Sequence, residues 1–104
     1  MSDASMQELM SNNHSQKKKI VILANHDHAE AMRVAAGLTI FGHHVELVFI
    51  DRVVEESAEN IEQAELLELS EIEPVSLVDD PNIDRIDDNR LTALLLGCQH
   101  VVNI

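Results

Sequence analysis

Apolar residues in this chain gather into four continuous runs, joined by stretches whose apolar positions recur at helical spacing. The first run, Ile20-Val21-Ile22-Leu23-Ala24, has no alternation, as a strand buried on both faces requires. It ends in the polar cluster Asn25-His26-Asp27-His28, where Asp27 followed by Glu30 matches an N-terminal capping box with Asp in place of Ser or Thr. The helix predicted from there runs to Phe41. Its residues Ala31, Met32, Val34, Ala35, Ala36, Leu38 and Ile40 cover most of its circumference, so it must pack on more than one side. Gly42 stands where a left-handed residue closes a helix. Val45 to Ile50 reads as a second strand, which completes a βαβ unit with parallel strands.

From Arg52 to Ile72 the chain is rich in Glu over a stripe of Val54, Ala58, Ile61, Ala64 and Leu67, an amphipathic helix interrupted near Ser57. Pro74 stops it. Val75 to Val78 is a third short strand, and the loop Asp79-Asp80-Pro81-Asn82 continues without a clear period to Asp88. Asp88 is expected to cap a helix over 89–96 that Gly97 ends, and His100 to Ile104 is a final strand. The order β-α-β-α-β-α-β predicts a small α/β domain over residues 17–104. Its simplest form is a doubly wound parallel sheet of about four strands in the order 2-1-3-4, flavodoxin-like, with helices on both faces. Residues 1–16 are expected to form a flexible N-terminal tail or a docking arm, since Met6, Leu9 and Met10 would share one face of a short helix started by Asp3.

Charge narrows the choice of partners. The formal net charge is −12, and 15 of the 19 acidic residues lie between Glu46 and Asp88, so nucleic acid is excluded as a partner. The basic run Lys17-Lys18-Lys19 is too short to reverse this. Aromatic residues are 2% of the chain, which leaves no stacking platform for bases or sugar rings. No stretch approaches the roughly 20 apolar residues of a membrane span, and no apolar segment begins the chain, so no membrane contact and a cytoplasmic location are expected. The single cysteine, Cys98, allows no disulfide within the chain.

In parallel sheets, ligands bind beyond the carboxyl ends of the strands. That rule selects Asn25, His26, Asp27 and His28 after the first strand, Asp51 after the second, and Asp79, Asp80 and Asn82 after the third. The candidate ligand-binding set is therefore Asn25, His26, Asp27, Asp51, Asp79 and Asn82, which offers carboxylates and an imidazole for general acid–base work or binding. Helix capping by Asp27 and turn formation by the Asp79 loop compete with that reading. His43, His44, Cys98 and His100 suggest a metal set, but the expected topology sets the two pairs three strand spacings, roughly 14 Å, apart, so no metal site is expected. With glycines only at 37, 42 and 97, no phosphate-binding loop exists, and no cofactor is expected.

The stretch from Lys19 through His26, the helix, and Phe41-Gly42-His43-His44-Val45-Glu46-Leu47-Val48-Phe49-Ile50 resembles the opening of DsrE/DsrF/DsrH-like proteins. The ending, Leu94-Leu95-Leu96-Gly97-Cys98-Gln99-His100-Val101-Val102-Asn103-Ile104, is similar to the last helix and strand of that family. The resemblance implies a compact α/β fold, oligomeric assembly and a cytoplasmic role in relaying sulfur between proteins as a cysteine persulfide. Active members carry that cysteine in the loop after the third strand, where this chain has Asp79-Asp80-Pro81-Asn82. The resemblance thus implies a non-catalytic or accessory member, with no catalytic residue carried over, that binds a protein partner or further copies of itself. The alternative is a small ligand-binding or enzymatic domain that uses His26, Asp27 and Asp79.

Overall fold

The apolar run that opens the domain becomes a central strand, buried on both sides. The computed structural model describes residues 17–104, and the reading of residues 1–16 as a tail or docking arm lies outside the described residues. Strand β1, Lys19–Ala24, pairs in parallel with β2, His44–Phe49, from Lys19↔His44 to Ala24↔Phe49. Between them runs α1, His28–Ile40, capped by Asp27, whose carboxylate accepts from the Glu30 amide at 3.0 Å. A second helix, α2, Ala58–Leu69, leads to β3, Val75–Ser76, and β4, Asp84–Arg85. A third helix, α3, Asp88–Gly97, returns the chain to β5, His100–Asn103.

The protein is an α/β fold with a five-stranded, all-parallel sheet in the order β4-β3-β2-β1-β5. Two features depart from the expected sheet of about four strands in the order 2-1-3-4. The third strand lies beside β2 rather than β1, and the closing strand takes the place beside β1. A fifth strand, Asp84–Arg85, also joins the edge, invisible in the sequence because it carries no apolar residue. The seven residues from Leu77 to Ile83 suffice to connect β3 to a parallel neighbour. Two-residue strands require the chain to travel back only about 7 Å.

Alternation sorts the sheet into two faces. Ile20, Ile22 and Ala24 with Val45, Leu47 and Phe49 pack beneath Ala31, Met32, Ala35 and Ala36 of α1 and Leu67 of α2. Four of the six buried residues of α1 are alanines, which lets the helix backbone lie close to the sheet. Its remaining apolar side meets α2, so α1 does pack on two sides, and Val34 and Leu38 are the partly buried residues involved in that core. The opposite face carries Val21 and Val48, and among the described residues only α3 crosses it, with none of its own residues buried.

Local boundaries also moved. α2 begins at Ala58 with Ser57 as N-cap, because the Ser57 hydroxyl accepts from the Asn60 amide, and the segment before it is loop. Asp87 rather than Asp88 caps α3 by accepting from the Arg90 amide at 2.8 Å. Gly42 has φ +94°, the left-handed conformation expected of it.

Candidate functional site

Because all strands run one way, the loops after β1, β2 and β3 share one end of the sheet. The segment after β2 organises that rim. Arg52 donates to the carbonyl of Asn25 at 2.6 Å and to the carbonyl of His26 at 2.9 Å, and it rests on the Asp51 carboxylate at 3.2 Å. Two residues on, the Val54 amide donates to Asp80 at 3.0 Å. The loops near 25 and 80 therefore both attach to residues 52–54, from opposite sides, and not to each other. β2 stands between their strands, and two strand spacings separate them by about 10 Å.

Of the candidate set, Asn25, His26, Asp27 and Asp51 come together, with His28 and Arg52. Asp79 and Asn82 belong to a separate cluster. Asp79 is exposed and pairs with Arg85 at 3.3 Å, while the Asn82 amide donates to Asp80 and its side chain to Glu56. The order reversal itself lies between β1 and β5, and there the crevice is bridged. The amides of His26 and Asp27 both donate to the Ile104 carbonyl, at 3.0 and 3.1 Å.

The residue that sequence reasoning undervalued is His28. It is 4% exposed, its ring meets Phe49 edge-on with centroids 4.9 Å apart, and its Nε2 lacks a hydrogen-bond partner, the Asp51 oxygen being 4.0 Å away. Burial, aided by the Arg52 guanidinium, lowers its pKa below the ordinary 6.5, against the pull of Asp51, Asp27 and Glu55. The buried ring is neutral at pH 7. A shallow polar recess of about 220 Å³ opens beside it, bordered by His26, Asp27, Arg52 and Glu59. Arg52 was missed as well. Its signal was a lone cation directly after the second strand, ahead of a stretch otherwise all acid.

A larger cleft, about 620 Å³, opens on the α1–α2 face where β3 and β4 extend past the helices. Met32, Phe49, Leu67 and Ile83 form its floor, and Glu55, Glu68, Glu73 and Asp84 stand at its border. Neither the composition nor the periodicity pointed to it, because it depends on the strand order.

No family model, curated protein or solved structure matches this chain.

At the other end of the sheet, the paired histidines and Cys98-x-His100 lie at the starts of β2 and β5, which flank β1. They are two strand spacings apart rather than three, or about 10 Å. Three of the four have other partners: His43 Nδ1 accepts from the Lys18 amide, His44 pairs with Glu46 at 3.0 Å, and the Cys98 thiol donates to the Leu95 carbonyl at 3.2 Å. Among the described residues no three His, Cys, Asp or Glu side chains converge as a metal site. No helix among the described residues is long and apolar enough to cross a membrane.

Proposed function

We propose that this chain is a non-catalytic, accessory protein of the DsrE-like kind that acts in a homo-oligomer, holds a partner protein, and serves cytoplasmic sulfur transfer. The observation that carries the homo-oligomer is α3, and the sulfur-transfer role rests on the resemblance of the opening and closing segments. Leu91, Leu94, Leu95 and Leu96 lie on a ten-residue helix that buries none of its residues, with Leu96 82% exposed. Val101, paired with Val21 on the sheet face that α3 crosses, is 49% exposed at the open edge strand β5. A leucine-rich helix beside an unpaired parallel edge gains most when a second copy covers it. The non-catalytic part rests on the loop Asp79-Asp80-Pro81-Asn82, which holds no thiol, and on Cys98, half-buried at the opposite rim with its thiol donating to a backbone carbonyl.

Size-exclusion chromatography with light scattering tests the assembly. The parent chain should run as an oligomer, and Leu96→Glu should reduce it to a folded monomer, since that side chain contributes almost nothing to the subunit's own core. A parent chain that is monomeric at high concentration removes the reading.

A further inference from the structure

The 620 Å³ cleft beside α2 takes a different kind of partner from the α3 face. We propose that it docks a short, basic segment of a partner protein, with apolar side chains at the middle of the segment and Lys or Arg at both ends. This deepens the partner-binding half of the proposed function and is independent of the oligomer.

The cleft is open because of how α2 packs. α2 buries one residue, Leu67, so the helix sits against α1 and leaves the sheet near β3 and β4 uncovered. Ile61 on its cleft side remains 50% exposed, and Ile83 is only partly buried against the core. The volume lies within the roughly 300–1,000 Å³ range of ligand sites, and the floor is apolar, as such sites usually are.

Charge identifies the occupant. Among the described residues six carboxylates line the cleft, at 55, 56, 68, 73, 80 and 84, and no Lys, Arg or His does. The ion pairs among the described residues join Arg52 to Asp51, Arg33 to Glu30 and Arg85 to Asp79, and His44 is hydrogen-bonded to Glu46. None of them uses a cleft acid; Asp80 and Glu56 accept hydrogen bonds from Val54 and Asn82, but among the described residues no cation offsets the negative potential of the cleft. A ligand supplying cations around an apolar centre would satisfy both the acids and the floor.

Length favours a chain segment. Glu55 and Glu56 precede α2, while Glu68 and Glu73 lie at and beyond its far end, so the acids bracket a 12-residue helix. At 1.5 Å per residue that is about 18 Å, the span of five or six extended residues. The chain's own first sixteen residues are a poor match in charge, with acids at 3 and 8 and no Lys or Arg. A second copy, with 7 Lys and Arg against 19 acids, has few cations to offer an acidic cleft.

The test is fluorescence anisotropy with a labelled synthetic peptide of about eight residues, Leu and Met at its centre and Lys or Arg at both ends. Saturable binding is expected, and a peptide with the same centre but Glu at both ends should bind at least about tenfold more weakly. The double variant Glu68→Lys/Glu73→Lys should lose about tenfold in affinity, and Ile61→Ser should also weaken binding. The control Glu62→Lys/Glu65→Lys makes the same charge change on α2 outside the cleft and should bind like the parent. Absent binding, or equal losses in the two double variants, overturns the proposal. Binding that tightens when residues 1–16 are removed would assign the cleft to the chain's own N-terminal segment instead. A peptide-induced drop in oligomer mass would assign it to a second copy. A monomer in the α3 test leaves the peptide-binding readouts intact.

Discussion

At the scale of single residues, His28 has the most to lose from a change of pH. Its ring is packed edge-on against Phe49 with Nε2 unpaired, so a proton there would be a buried charge 4.0 Å from its nearest counter-charge. Unfolded, His28 takes up a proton near its ordinary value of 6.5, whereas burial lowers that pKa in the fold. The contribution of the neutral ring is complete above pH 6.5 and is lost as pH falls below it, because the unfolded chain then binds the proton first. His28→Leu removes this component. The unfolding midpoint of the variant should gain on the parent as pH is lowered from about 7.5 to about 5.5. A difference that stays constant would mean that the ring is already partnered, and one that turns against the variant would mean that a protonated pair with Asp51 forms. Sequence reasoning found this residue's place, since a polar cluster must follow a buried strand, and it found the Asp27 cap from three residues of local pattern. It did not find Arg52, whose targets are carbonyls 26 and 27 positions away. Contacts of that range leave no local pattern.

At the scale of elements, α1 and α2 end in the same motif with different residues. After α1, the Gly42 amide donates to Thr39 and the His43 amide to Leu38, with Gly42 at φ +94°. After α2, the Glu71 amide donates to Glu68 and the Ile72 amide to Leu67, with Glu71 at φ 62°. Both are Schellman closures, and Ile72 and Leu67 belong to one apolar cluster, which completes the motif. A β-carbon in the left-handed region costs about 1 kcal/mol that glycine avoids. Glu71→Gly should therefore stabilise the protein by about 1 kcal/mol, roughly 4–8 °C in the melting midpoint. Glu71→Ala, which removes the charge but keeps the β-carbon, separates the two causes. Equal gains in both would assign the effect to charge. Gly42 was legible because glycine itself signals this turn, whereas Glu71 gives no such signal. Strands β1 and β2 were legible for a similar reason, their apolar runs being long. β4, made of Asp84 and Arg85, had nothing to display.

At the scale of the whole molecule, the alternation of strands and helices established a parallel, doubly wound sheet but not the order of its strands. The missing information was nonetheless present in α1. A helix apolar on nearly all sides needs a neighbour on its own face, and only a second crossover in the same direction puts α2 there. That condition sends β3 beyond β2 and leaves the place beside β1 to β5. The same arrangement concentrates charge, because Glu59, Glu62, Glu65 and Glu68 recur every third residue along α2 and no basic residue lies in its last turn. With a net charge of −12, folding gathers like charges that the unfolded chain holds farther apart. The Arg33–Glu30, Arg52–Asp51 and Arg85–Asp79 ion pairs among the described residues are all formed by solvent-exposed or half-exposed groups, so screening removes little stabilisation. Repulsion is what salt weakens most. Raising sodium chloride from about 0.01 to about 0.5 M shortens the screening length from about 30 Å to under 8 Å and should raise the melting midpoint by several degrees. Glu62→Lys/Glu65→Lys should begin from a higher midpoint at low salt and respond less to added salt. A flat or falling midpoint in the parent would show that attraction and repulsion already balance on this surface. The uncompensated acids around the cleft would then lose their physical basis for selecting a cationic partner.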